Sequence, residues 1–581
     1  MSTKLGSFVL MLHSHLPYYR KAGMWPFGEE NLYECMVETY IPLLDALYEL
    51  KDEGIKAGIT VGITPILAEQ LADEYLKDGF VTYVNTRLKA AHEDMARYPD
   101  PTIEHSEHLA YLAKYYADHF SELLESFNNR YKRDLLSAFK TLQDEGCIEI
   151  TTSAATHGFL PLLGYDEAIE HQLKVGIDAY KEHFGRAPKG IWLPECAYRP
   201  AKTWTDSITG ETKERPGIEA FLYENGLKYF FTEFQAIEGS KPTPFRRDFG
   251  IYRDIEYKQS GYSASPTGLT TDEAYWMKDY PVAVMGRSER ASFQVWSAAD
   301  GYPGDGLYRE FHKKDTQSGL HYWRITSKEG GFGNKMLYDP AEAFKQAESH
   351  ARHYVWLITT LLKERRLANQ HPSLLMVSFD TELYGHWWYE GVHWLKNVIR
   401  GLHQVSDLKV ETSSQYLENS PPTRAIQLCE STWGAGGHFW VWDNPQTSWM
   451  WPEIHKRENT MQRLVTTHEN ETDALKVRTL NQLSRELLLL EGSDWPFLVT
   501  TGQAKDYAVE RFETHCGNFD TLAAMVDSGR FDEASLHELE STNNAFPHLD
   551  YHWFKLPSPV VKAIQPEATE AEAKKQLTPT P

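Results

Sequence analysis

Seven short apolar runs, at 8–12, 57–63, 148–152, 190–194, 229–232, 282–285 and 374–379, are separated by stretches with helical spacing, around 33–50 and 65–76 among others. Apolar runs of about five residues, bounded by turn residues, suit strands buried on both faces. Strand–helix alternation then leads to a parallel sheet with helices packed over it. Gly226 supplies the turn before the run at 229, and Gly391 opens the helix after the last run. The pattern, with about seven strands, predicts an α/β fold with a parallel, barrel-like core, without internal repeat.

Two departures from the alternation define the other units. A polar helical stretch from about 81 to 143, broken at Pro99 and Pro101, falls after the second strand and reads as a small inserted helical domain at 78–140. Beyond about 405 strand signals fade and helices such as 473–490 dominate. The expected organisation is a catalytic barrel over 1–405 with that insertion, and a helical domain over 406–555. The tail at 556–581, rich in Pro, Glu, Ala, Lys and Thr, is expected to be disordered. A length of 581 residues fits this count at roughly 150 residues per domain.

Charge and cysteine use exclude several classes. With 82 acidic against 59 basic residues the formal charge is -23, which repels phosphate backbones and anionic lipids and argues against nucleic acid or membrane as partner. No stretch approaches 18 apolar residues, and the run at 8–12 is too short for a signal h-region. Five scattered cysteines without CxxC spacing read as reduced thiols, so a cytoplasmic location is expected, with a monomer the favoured state. Aromatics make up 13% of the chain, 17 of them Trp. Such an excess fills either a large core or a groove for a flat, hydroxyl-rich ligand that stacks on indole faces.

Four of the apolar runs end in reactive side chains. The first runs into His13 and His15, the third on to His157, the fourth into Glu195 within IWLPECAYRP, and the last into Asp380 within SFDTELYGHWWYEG. In a parallel barrel all strand C-termini open on one face, so these four sites converge. Two carboxylates across one cleft suit glycosidic chemistry, one attacking the anomeric carbon and the other protonating the leaving oxygen. Each has a plain structural reading as well. Glu195 can pair with a neighbouring Arg such as Arg199; Asp380 can be a helix N-cap, with Glu382 the reactive group instead. His13 and His15, at i and i+2, share a strand face. Their spacing can bind a divalent metal, with Asp380 or His157 completing the shell, or can hydrogen-bond sugar hydroxyls. Tryptophans crowd STWGAGGHFWVWDNPQTSWMW, where Gly434, Gly436 and Gly437 make a loop able to present Trp433 at a cleft.

Six segments in order, HSHLPYYRKAGMWPFGEE, TTSAATHGFLPL, GIWLPECAYRP, QVWSAADGYPGDGLYREFHKK, SFDTELYGHWWYEG and STWGAGGHFWVW, together resemble glycoside hydrolase family 57, and within it the 1,4-α-glucan branching enzymes. The resemblance covers about residues 5–530. It implies a (β/α)7 barrel with a helical insertion and a helical C domain closing the cleft. It also implies a retaining mechanism that needs no metal or cofactor, with an α-1,4-glucan as donor and acceptor. Matched motif by motif, Glu195 resembles the nucleophile and Asp380 the general acid/base. His13 and His157 resemble first sugar ligands, and Trp25, Trp296, Trp433 and Trp442 the cleft tryptophans. Gly502 and Asp506 fall in a C-domain segment, DWPFLVTTGQAKDYA, that also resembles the family. The family's mobile aromatic loop corresponds to 236–254, where Tyr252 is the candidate for its tyrosine beside Phe249; the stretch 259–280 that follows is longer than usual. The same family contains α-amylases and 4-α-glucanotransferases, which the resemblance leaves as alternatives.

Overall fold

The structure is a computed structural model describing residues 4–238, 269–296, 301–327 and 331–556. Tyr252 and Phe249 lie outside the described residues, as does the tail from 557. Twelve strands are described: β1 (Gly6–Ser14), β2 (Ile59–Ile63), β3 (Ile148–Thr151), β4 (Gly190–Ile191), β5 (Lys202–Thr205), β6 (Thr212–Arg215), β7 (Tyr229–Thr232), β8 (Tyr275–Met277), β9 (Ala283–Gly286), β10 (Ser373–Asp380), β11 (Leu408–Val410) and β12 (Ala425–Ile426). Seven of them coincide with the seven apolar runs and form the barrel. β10, β1, β2 and β3 pair in parallel, as do β4, β7 and β9. A parallel bridge from Thr152 to Ile191 joins the two groups on one side. On the other, the Ser288 amide donates to the Met376 carbonyl at 2.7 Å. The ring order is β1-β2-β3-β4-β7-β9-β10.

Strand periodicity decides what fills the lumen. Val9 and Met11 of β1, Tyr229 and Phe231 of β7, Ala283 and Met285 of β9, and Leu374 and Met376 of β10 pack into one cluster with Trp192. The intervening residues Phe8, Leu10, Leu12, Leu375, Val377 and Phe379 belong to the layer under the helices. Because side chains alternate faces along a strand, the next lumen-facing positions are His13, Glu233 and Arg287, and on β10 Ser378 followed by Asp380. Each apolar column therefore ends in a polar residue at the C-terminal mouth.

Several elements were not expected from the pattern. The hairpin β5–β6 is antiparallel; its one large apolar residue, Trp204, packs its half-buried face against Arg215 and His455, so four residues per strand show no run of hydrophobic alternation. β8 runs antiparallel to β9 and pairs with β12, while β11 pairs with β1. Past residue 405 the chain adds β11, helix Ser413–Asn419 and β12 before its long helices begin at Met450. The insertion consists of Glu74–Arg97, capped by Asp73, and Ser106–Glu125. Helix Leu135–Asp144 returns to the barrel, where Gln143 accepts from the Ile150 amide at 2.8 Å. Among the C-terminal helices, Ala474–Leu490 and Lys505–Ser528 pack through Leu480, Leu483 and Leu487 against Phe512, Phe519 and Leu522. The first of these ends at the barrel mouth and delivers Ser493 and Asp494 there. Among the described residues no helix is long and apolar enough to cross a membrane.

Candidate active site

Three histidines stack at the mouth. His13 Nε2 and His157 Nε2 are 3.1 Å apart, and the His15 and His157 rings lie 3.8 Å apart between centroids. The outer nitrogens are tied to protein: His157 Nδ1 to Ser493 Oγ at 2.8 Å, His15 Nδ1 to Thr64 Oγ1 and His15 Nε2 to Asp494, both at 3.1 Å. Burial holds His13 and His157 well below the ordinary imidazole pKa, and the neighbouring His15 lowers both further. For His15 burial opposes the charge, but Asp494, Glu195 and Glu382 together outweigh it and raise the pKa. Of the three rings His15 is the one whose surroundings favour a proton; those of His13 and His157 oppose one. Among the described residues no three His, Cys, Asp or Glu side chains converge so as to hold a metal ion.

Glu195 sits in the left-handed region at φ 58°, followed by Cys196 at φ 53°. A non-glycine residue there costs about 1 kcal/mol or more, so surrounding bonds must hold the kink. They do: the Cys196 and Ala197 amides donate to Leu193 and Pro194, at 2.7 and 3.0 Å. The Glu195 carbonyl accepts from Thr432 Oγ1 at 2.6 Å and from the Trp433 amide at 3.2 Å. The Glu195 carboxylate accepts from Trp433 Nε1 at 2.8 Å and from Ser493 Oγ at 3.4 Å, with His157 Nδ1 3.8 Å away. Across the lumen the parallel register sets Asp380 beside His13.

The two carboxyl groups differ in what surrounds them. Burial raises Glu195 to about 7, against which the Trp433 and Ser493 donors and the His15 charge work. Burial raises Asp380 well above the carboxylate range, and the negative charges of Glu382 and Glu195 add to it; only Arg287 opposes. Among the described residues none donates a hydrogen bond to the Asp380 carboxylate. When one proton is shared between such neighbours, it falls to the group whose anion is less supported. Of the two, Glu195 is the better supported as an anion, and Asp380 is the one pushed further toward its protonated form. Glu382 accepts from Tyr40 and from the His15 amide, and is spent on holding the mouth together.

This geometry has relatives. Residues 9–259 match glycosyl hydrolase family 57, and residues 453–554 match the domain described as 1,4-alpha-glucan branching enzyme, C-terminal. A 1,4-alpha-glucan branching enzyme of Thermococcus kodakarensis is 44% identical over 548 residues, covering 93% of this chain and 77% of the relative. The chain belongs to glycosyl hydrolase family 57. A probable branching enzyme of Mycobacterium tuberculosis is 30% identical, covering 91% of this chain and 94% of the relative. Among solved structures, a family 57 branching enzyme of the same Thermococcus species superposes with a TM-score of 0.86 at 42% identity, covering 96% of this chain and 97% of that one. An alpha-amylase of Thermotoga maritima superposes at 0.80 with 29% identity, covering 95% and 99%.

Within this family 57 fold the expected tryptophans divide. Trp433 is half-buried, packed against Trp192 at 4.7 Å, with Arg287 5.9 Å from its ring and Trp296 at 6.4 Å. Trp25 is 77% exposed on a loop whose Phe27 meets Tyr507 of the C-terminal helices at 6.0 Å. Trp442, expected at the cleft, is instead 1% exposed, stacked on Phe159 at 4.7 Å. A Cβ at Gly434 would come within 2.6 Å of the Trp442 ring, so this indole backs the Trp433 loop from inside. Asp506 lies exposed in the first turn of Lys505–Ser528, and no contact ties it to the carboxylates. Four residues at the site were not singled out in the sequence: Trp192, inside GIWLPECAYRP, which stacks on His13 at 5.0 Å; Asp494, the first residue of DWPFLVTTGQAKDYA; and Arg287 and Ser493, which lie in no quoted segment. Alternation along β9 points to Arg287. Ser493 and Asp494 read as an ordinary helix start.

Two expected results follow from these surroundings. Trp433→Phe removes a donor from the Glu195 anion. With Glu195 as the expected nucleophile, the acid limb of kcat/KM lies near 7 and moves up by about one pH unit, a charged hydrogen bond contributing roughly 1.5–3 kcal/mol. A pH–rate profile in which that limb stays or moves down would contradict the assignment. Below the site, Glu458 is fully buried; it accepts from the Gly164 amide at 2.9 Å, and its charge acts on buried Glu491 beside Ser493. Burial raises Glu458 to about 8, so the folded state favours its protonated form. That contribution to stability is complete below the unfolded carboxyl pKa and is lost as pH rises through about 8. Glu458→Gln, always neutral, loses less Tm between pH 5 and 9 than the wild type does; thermal melts across that range check it.

Proposed function

We propose that the protein is a 1,4-α-glucan branching enzyme working by retaining double displacement, with Glu195 as nucleophile and Asp380 as general acid/base. A linear glucan enters the mouth between Trp433, Trp296 and Trp25. A Glu195 oxygen attacks C1, the C1–O4 bond breaks, and O4 takes the proton of Asp380. The chain is now an ester on Glu195. The 6-hydroxyl of a second glucan gives its proton to the Asp380 carboxylate and its oxygen attacks C1; the ester bond breaks and an α-1,6 branch is formed. Linkage number is conserved, so no cofactor or nucleotide sugar enters. Neutral His13 and His157 suit hydrogen bonding to sugar hydroxyls without competing for the Glu195 charge. Five free thiols fit a reducing cytoplasm.

The observation that supports this reading most is the asymmetry of the two carboxyls: one held by two donors, the other raised by negative neighbours. It supplies an anion and an acid in one cleft at neutral pH. The test is to incubate amylose with the protein and then with a debranching enzyme. Release of short linear chains, seen only after debranching, is the expected outcome. The likeness to the Thermotoga amylase favours a second reading, in which water takes the place of the acceptor. Shortened chains before any debranching would mark it.

A further inference from the structure

Trp387 leaves 51% of its surface open although it follows Glu382 by only five residues. Its ring stacks on Phe311, with centroids 4.9 Å apart and planes at 27°. His386 and His312 meet Phe311 edge-on, at 5.4 and 5.0 Å. The backbone beneath is fixed. Gly385 takes φ 107°, where a Cβ would lie 1.8 Å from the Glu38 carbonyl oxygen. The Gly385 amide donates to the Trp388 carbonyl at 2.8 Å and the Trp387 amide to the Glu382 carbonyl at 3.0 Å. The His386 amide donates to Thr39 Oγ1 at 3.2 Å, and its ring bonds Glu38 at 3.0 Å.

An indole held open on so constrained a loop costs little entropy to engage, and its flat face matches the C–H face of a pyranose. It lies on the side where the reaction centre opens, because the loop leaves the C-terminal end of β10 directly after Asp380. The same Glu382 that carries Trp387 also accepts from the His15 amide at 3.2 Å. A polymeric glucan is longer than the stretch that Glu195 and the histidines can contact, so its remainder must cross this mouth.

We propose that Trp387 and Phe311 form an aromatic platform that stacks glucose units of an α-1,4-glucan several residues from the scissile bond, and so favours long chains. The proposal rests on the glucan reading above. It is tested by electrophoresis of Glu195→Gln through gels containing long-chain amylose, beside the same protein also carrying Trp387→Ala or Trp387→Phe. The Ala variant binds amylose about tenfold more weakly, and the Phe variant retains most of the affinity. In the otherwise wild-type enzyme, Trp387→Ala lowers kcat/KM on amylose relative to maltoheptaose about tenfold, through KM. Unchanged retardation of the Ala double variant, with unchanged relative kcat/KM, would overturn the platform while leaving the glucan reading intact. An equal loss on maltoheptaose would also overturn it, assigning Trp387 to the reaction centre. Failure of Glu195→Gln itself to bind amylose would remove both. Melting temperatures of the variants equal to that of Glu195→Gln confirm that the fold is kept, as expected for a half-exposed ring.

Discussion

Glu195→Gly lowers turnover on amylose by roughly four orders of magnitude or more, with the fold intact. The size follows from the role: without the carboxylate no covalent glucosyl-enzyme forms, and the single difficult displacement is no longer divided into two easier ones. Glycine is the informative replacement, since φ 58° at this position suits it without strain, and a loss of activity cannot then be assigned to a broken loop. The Trp433 indole and Ser493 hydroxyl lose an acceptor, yet both reach the cleft and can turn to water. Azide added to this variant enters the vacated space and attacks C1 of an activated α-glucosyl donor, giving the β-azide. That inverted product is the signature of a missing nucleophile. Turnover within tenfold of wild type would remove Glu195 from the reaction.

Asp380→Asn is the second large effect, roughly 10²–10⁴-fold on amylose, the span typical of general acid–base catalysis. Asparagine fills the same space and is neutral like the protonated acid, but it delivers no proton to O4 and takes none from the acceptor 6-hydroxyl. The two half-reactions separate with the substrate. α-Glucosyl fluoride has a leaving group that needs no acid, so the first step proceeds and the second stalls for lack of a base. The ester accumulates on the peptide carrying Glu195, where mass spectrometry finds it.

The barrel was legible because seven strands buried on both faces leave seven uninterrupted apolar runs. His13, His157, Glu195 and Asp380 could be picked out because each follows such a run, and polar residues at strand ends stand out against their neighbours. What escaped did so for physical reasons. The β5–β6 hairpin offers a single large apolar residue, Trp204, packed against charged and polar partners, and β8, β11 and β12 are two or three residues long. Ser493 and Asp494 reach the mouth from a helix start more than a hundred residues after Asp380, and only packing of the C-terminal helices reveals it. Trp442 misleads because a tryptophan beside a glycine-rich loop can face a ligand or brace the loop, and here it braces. Glu233 and Arg287 were readable in principle, two residues beyond Phe231 and Met285 on the lumen side. They pair at 2.7 Å, and Arg287 opposes the upward shift of Asp380 and lies 5.9 Å from the Trp433 ring.

The central claim is transfer to a 6-hydroxyl instead of to water. Proton NMR of amylose treated with the purified protein measures it most directly, counting α-1,6 anomeric signals beside reducing ends in one spectrum. The account predicts that α-1,6 signals rise as α-1,4 signals fall in equal number, with reducing ends nearly constant. Reducing ends rising in step with the loss of α-1,4 signals, and no α-1,6 signal, would contradict it.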